Sequence, residues 1–182
     1  MINPVASQSS NVVSAQVISS IQRERAWELL RDLSLAHNYV PGVIDTQITT
    51  AQQEGIGASR KVYQGKTSAI DETVEEWNEG YGILIRLHRG NAGPPFPFKK
   101  AWFRYSIEDN GDRTTRLTTS LIYVMRWGAF GQMLNTILLK RFIESRISDV
   151  AIGMKLYYET GERVTPEKMK RAKAEAGKRT AK

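Results

Sequence analysis

The sequence predicts an α+β fold in which a curved antiparallel sheet of about seven strands wraps around a long C-terminal helix, with two short helices after the first strand. Three observations carry this. Segments alternating apolar and polar residues follow one another from Ile44 to Met125. The links between them are short, which makes sequential segments antiparallel neighbours. A single long helical segment then runs from the glycines Gly128 and Gly131 to about Tyr158. A sheet and a helix that are each apolar on one side bury those sides against each other, and the space between them is a natural pocket.

The elements follow in chain order. Val13, Ala15 and Val17 share one face of a strand over Val12 to Ser20. Ser20 is expected to cap the next helix, where Ala26, Trp27, Leu29, Leu30 and Leu33 form the apolar side. Ser34 is expected to cap a second short helix through Tyr39, and Pro41-Gly42 ends it. Further strands are predicted over Ile44 to Ala51, Ala58 to Gln64 and Ile70 to Trp77, and around Ile83 to Leu87, Ala101 to Ile107 and Leu117 to Met125. Asn91 to Pro97 is a Gly/Pro loop, and Asp109-Asn110-Gly111-Asp112 signals a hairpin. In the final helix Ile143, Ile147, Val150, Met154 and Tyr157 form a narrow stripe. From Phe130 to Phe142 the apolar arc is wider and needs a second partner: the N-terminal helices, a second copy of the chain, or a ligand pocket that it covers. Thr165-Pro166-Glu167 can start one more helix, with few apolar residues to bury.

At 182 residues the chain has room for one domain with a sizeable core. The expected division is a disordered 1–11, a ligand-binding domain over 12–161 and a basic, exposed or disordered tail over 162–182. The net charge is +7, of which residues 163–182 carry +6, so the body is nearly neutral. The charge therefore gives no basic nucleic-acid face on the domain. It leaves weak contact between the tail and an anionic membrane surface as one account of the tail. Absence of cysteine excludes disulfides, thiolate metal sites and cysteine nucleophiles, and it fits a cytoplasmic setting. Met1 to Asn11 has neither the basic start nor the apolar core of a secretory leader. No cofactor is expected, and no metal site, because His37 and His88 lie far apart on different elements. Neither a Gly-rich phosphate loop nor a G-x-S-x-G elbow is present.

Several motifs resemble a known superfamily. The run from Ala26 to Leu33, with His37-Asn38-Tyr39-Val40-Pro41-Gly42-Val43, resembles the opening of the polyketide cyclase/dehydrase-like branch of the START/Bet v 1-like (SRPBCC) superfamily. Gly57-Ala58-Ser59-Arg60, Glu72-Thr73-Val74-Glu75-Glu76-Trp77-Asn78 and Thr115-Arg116-Leu117-Thr118 resemble it too, over roughly residues 12 to 160. The resemblance implies a helix-grip fold with a hydrophobic-ligand cavity between sheet and C-terminal helix. It implies no single activity.

The polar pair expected to face that cavity is Arg60 with Glu72, on neighbouring strands and sharing a face with Val62, Ile70 and Val74. The pair can orient a ligand or act as acid and base, and it can equally be a cross-strand ion pair that sets register. Tyr63, Val74, Ile85, Phe103, Tyr105, Tyr123, Phe130, Leu134 and Leu138 are the expected ligand-binding residues. His37 is placed near the cavity mouth and His88 on the exposed side of its strand. The four tryptophans are expected in the core or at its rim. The reading is a carrier or binding protein for a lipid, quinone, isoprenoid or polyketide-like molecule. Its alternatives are a cyclase/dehydratase-like enzyme using the same pocket, and an interaction module or homodimer using the apolar helix face.

Overall fold

The computed structural model describes residues 10–134 and 139–180. One antiparallel sheet contains β1 (Asn11–Ser19), β2 (Asp45–Ile48), β3 (Ser59–Tyr63), β4 (Ala69–Asn78), β5 (Gly82–His88), β6 (Phe98–Gly111) and β7 (Thr114–Met125). Its spatial order is β1-β7-β6-β5-β4-β3-β2, so the chain lays down β2 to β7 as a meander and β1 pairs with the far edge. Between β1 and β2 stand α1 (Arg23–Arg31), a 3-10 turn (Leu33–Leu35) and α2 (Ala36–Tyr39). After β7 come α3 (Gly128–Leu134), α4 (Lys140–Thr160) and α5 (Pro166–Thr180).

The alternation of the strands decides which face is inner. On β7, Leu117, Thr119, Leu121, Tyr123 and Met125 point inward, and Thr119 donates its hydroxyl hydrogen to the Ile147 carbonyl of α4. Against this face α4 sets Ile143, Ile147, Val150, Met154 and Tyr158. Each such side chain contributes roughly 1.5–3 kcal/mol by leaving water. The last contact is Tyr158, while Tyr157, the residue expected from the stripe, is only partly buried. The core has two parts along α4. Val150, Met154 and Tyr158 join α1, α2 and the middle strands; Ile143 and Ile147 join Val13, Ala101, Leu121, Tyr123 and Met125.

One glycine permits the closest approach. A Cβ on Gly153 would lie 2.1 Å from the Tyr39 carbonyl oxygen, so α4 rests directly on the end of α2. Glu159, near the far end of α4, accepts hydrogen bonds from the Ser20 amide at 2.7 Å and from both the Ser19 and Ser20 hydroxyls. The helix α1 is clamped to β4. Trp27 and Trp77 meet edge to face at 5.1 Å, and both indole N–H groups donate to Glu79, at 2.9 and 2.7 Å.

Several expected boundaries move. Ser20 is committed to Glu159 and does not cap α1, whose N-cap is Gln22. Asp32, not Ser34, caps the turn before α2, accepting from the Ser34 amide and hydroxyl. The β6–β7 turn lies at Asp112 and Arg113, both at positive φ, because Asn110 is the extra residue of a bulge and Gly111 pairs with Thr114. The expected single helix from Gly128 is described as α3 and α4, and part of its first half, 135–138, lies outside the described residues. Within the tail, α5 forms behind Thr165; it docks through Met169, which is 8% exposed, and leaves most other side chains in water. Residues 1–9 lie outside the described residues. No helix among the described residues is long and apolar enough to cross a membrane.

Candidate functional site

The β3–β4 register sets Arg60 opposite Glu72, next to the Val62–Ile70 pair. Both side chains therefore point to the concave side. Arg60 Nε donates to Glu72 Oε2 at 2.6 Å, and Nη1 donates to the Leu33 carbonyl at 2.9 Å. The Arg60 side chain is 2% exposed and that of Glu72 14%. Burial disfavours the Arg60 cation, but the facing Glu72 and the neighbouring Tyr39 and Tyr105 outweigh burial and hold its pKa above the ordinary guanidinium range. Glu72 Oε1 accepts no hydrogen bond among the described residues.

A tyrosine cluster borders the pair. Tyr39 meets Tyr105 and Tyr158 edge to face, at 6.4 and 5.8 Å, and stacks on Tyr157 at 6.1 Å. The hydroxyls of Tyr39 and Tyr158 are buried and have no hydrogen-bond partner among the described residues. Burial pushes the phenols of Tyr39, Tyr105 and Tyr158 above their ordinary pKa. They stay protonated at neutral pH and present donors. An unmet buried hydroxyl costs about 1–3 kcal/mol, which an acceptor oxygen placed there would recover.

Three apolar side chains lie beside this polar end on the same face of the sheet. Ile70, Leu87 and Phe103 face inward by register, with Leu87 paired to Glu72 and Phe103 to Ile85, yet all three are only partly buried. By register they stand on the concave side of the sheet on the same face as Glu72, and each keeps part of its surface uncovered by the core.

The expected site residues divide as follows. Arg60, Glu72, Val74, Ile85, Phe103 and Tyr105 are brought together on the concave face, and Tyr123 sits with the second core cluster beside Phe98. Tyr63 is corrected: it takes the parity of Ser59 and Lys61, faces the opposite side and donates its hydroxyl hydrogen to Gln47 at 3.0 Å. Phe130 is 58% exposed on α3. The Leu134 side chain and the whole of Leu138 lie outside the described residues. His37 donates its backbone N–H to Thr46, and its buried Nδ1 has no partner among the described residues. His88 is not simply exposed. Its Nδ1 lies 3.1 Å from the Gly90 carbonyl, its Nε2 is hydrogen-bonded to the Thr73 hydroxyl at 2.9 Å, and Thr73 is hydrogen-bonded in turn to the Ser59 hydroxyl. Tyr39 and Tyr158 are site residues the sequence reading missed. The signal for Tyr158 was its i+4 spacing from Met154, which competed with the i+3 spacing of Tyr157.

A family model described as polyketide cyclase / dehydrase and lipid transport matches residues 11–159. The chain belongs to this family. The match spans β1 to nearly the end of α4, so α5 lies beyond it. Several solved structures share the fold over most of the chain. A START superfamily protein from Mycobacterium smegmatis has a TM-score of 0.62 at 18% identity, covering 81% of this chain and 97% of that one. Ara h 8.0201 has a TM-score of 0.60 at 12% identity, covering 82% and 97%. The protein TTHA0849 from Thermus thermophilus has 0.60 at 17%, covering 81% and 97%. At these identities the likeness is one of fold. No curated protein matches the sequence.

Proposed function

We propose that this member of the family binds a hydrophobic small molecule (lipid, quinone, isoprenoid or polyketide-like) between the sheet and α4, as a carrier or binding protein. The observation that carries the reading is the set of inward-facing but accessible side chains Ile70, Leu87 and Phe103 beside Glu72. Apolar burial supplies the affinity, and a few polar groups set orientation. Arg60 and Glu72 neutralise each other, and the unmet groups beside them are two phenol donors, Tyr39 and Tyr158, and one acceptor, Glu72 Oε1. A ligand with a neutral hydroxyl at one end can meet both kinds.

The test is native mass spectrometry of protein purified without denaturant, followed by displacement of a fluorescent apolar probe. Leu87→Trp and Phe103→Trp, which fill the accessible region, are expected to weaken probe binding about tenfold or more with the melting temperature little changed. Unchanged probe affinity in both variants sinks the proposal.

A second reading, an enzyme of the cyclase or dehydratase type, draws on the convergence of Glu72 with the free hydroxyls of Tyr39 and Tyr158. If chemistry occurs, Tyr158→Phe lowers kcat more than it raises KM; a carrier shows only a change in affinity. The absence of cysteine suits a cytoplasmic setting, and the exposed cations of α5, such as Lys170 and Arg171, suit weak contact with anionic lipid.

A further inference from the structure

The end of the molecule formed by the 89–98 loop, α3 and the start of α4 carries large apolar side chains in water. Phe96 is 68% exposed, Trp127 58%, Phe130 58%, Met133 50% and Phe142 65%. The first two touch edge to face at 5.5 Å, and Phe130 and Met133 share one side of α3 by their i, i+3 spacing. The loop and the β7–α3 link are joined by the backbone, since the Arg126 amide donates to the Pro97 carbonyl and its Nε to the Phe98 carbonyl. Trp127 holds its ring outward from a left-handed backbone at φ 64°, a conformation that costs free energy for a residue with a Cβ.

The polar residues at this end are of one sign. No acidic residue occurs from Arg89 to Ile107 or from Arg113 to Ile143. Lys99, Lys100, Lys140 and Arg141 are exposed and form no salt bridge among the described residues. Lys99 and Lys100 line a groove of about 350 Å³ with His88 and Pro94, next to the Phe96 loop. Bordering acids are engaged elsewhere. Glu75 pairs with Arg86 and accepts from Trp102, and Asp71 accepts from the Gly90 amide and faces Lys61. Glu144 is the first acid on α4, a turn beyond Lys140.

We infer that this end docks on an anionic lipid bilayer, with Phe96, Trp127, Phe130 and Met133 set at headgroup depth and the lysines on the lipid phosphates. A Trp/Phe tip ringed by cations is what an interfacial anchor requires. A second copy of the chain fits less well, because a two-fold interface would bring the same unpaired cations face to face. The inference does not depend on the ligand reading.

The test is sedimentation of the full chain with vesicles of phosphatidylcholine alone and of phosphatidylcholine with phosphatidylglycerol, at low and high salt. The wild type is expected to bind the phosphatidylglycerol vesicles and to release as salt rises. Lys99→Glu with Lys100→Glu is expected to weaken binding on the order of tenfold or more, and Phe96→Ser with Trp127→Ser to do likewise. A pair of α5 variants, Lys170→Glu with Arg171→Glu, is expected to change it by less. Four outcomes overturn the inference: no vesicle binding, equal binding to both vesicle types, a larger loss from the α5 pair, or a dimer in light scattering that Phe130→Ser dissociates. Binding of a single-stranded oligonucleotide that outcompetes the vesicles overturns it as well.

Discussion

Arg60 is a cation held in the interior by one carboxylate and one carbonyl. Removing it leaves the Glu72 carboxyl without its ion-pair partner beside Tyr39 and Tyr105. Arg60→Met is therefore expected to destabilise the fold by roughly 3–5 kcal/mol, and Arg60→Met with Glu72→Leu by less than the first change alone; urea denaturation of the set measures this. Glu159 makes a pH-dependent contribution. Its burial disfavours the charge, but the Ser20 amide, Lys155 and the two serine hydroxyls outweigh that and depress its pKa. A depressed carboxylate stabilises the fold above its unfolded pKa, and the contribution is lost as pH falls through the folded value. Glu159→Gln should flatten the acid side of a melting temperature against pH profile and leave its neutral part shifted but level. At this scale the sequence was partly legible. Arg60 and Glu72 could be paired because strand parity and spacing placed them on one face. The same parity puts Tyr63, three residues beyond Arg60, on the opposite face with Lys61, so its expected place among the ligand-binding residues conflicted with the strand period.

The strands were readable from period-two alternation, since one-residue slips turn every side chain over. Their ends were not, because several residues compete for each cap and turn. Ser20 had a better partner in Glu159, which is remote in sequence. Asp32 competed with Ser34, and the bulge at Asn110 moved the turn onto Asp112 and Arg113. For α4 the decisive residue is Gly153, where the helix has no room for a methyl group. Gly153→Ala favours an isolated helix but must push α2 away, so a net loss of about 1–3 kcal/mol is expected. A melting temperature at or above that of the wild type would show that α2 yields freely. Gly82→Ala should be as harmful, because its Cβ would meet the Tyr105 carbonyl oxygen at 2.1 Å.

Across the whole molecule, composition separated a neutral body from a basic tail, and it supported one domain. What it could not separate were two uses of the apolar residues near α3. Apolar side chains that face a cavity and apolar side chains that face the outside read alike in a sequence; only the exposure of Phe130, Met133 and Phe142 distinguishes them. The pairing of α1 with β4 has an optical consequence. Indole rings 5.1 Å apart and inclined at 71° are close enough for their transitions to couple, so Trp27 and Trp77 are expected to give a circular dichroism couplet. That couplet is expected to vanish when α1 lifts from β4, even if the strands stay paired. The protein thus carries a label-free gauge of whether its N-terminal helix is closed on the sheet, and Trp27→Phe is the blank against which to read it.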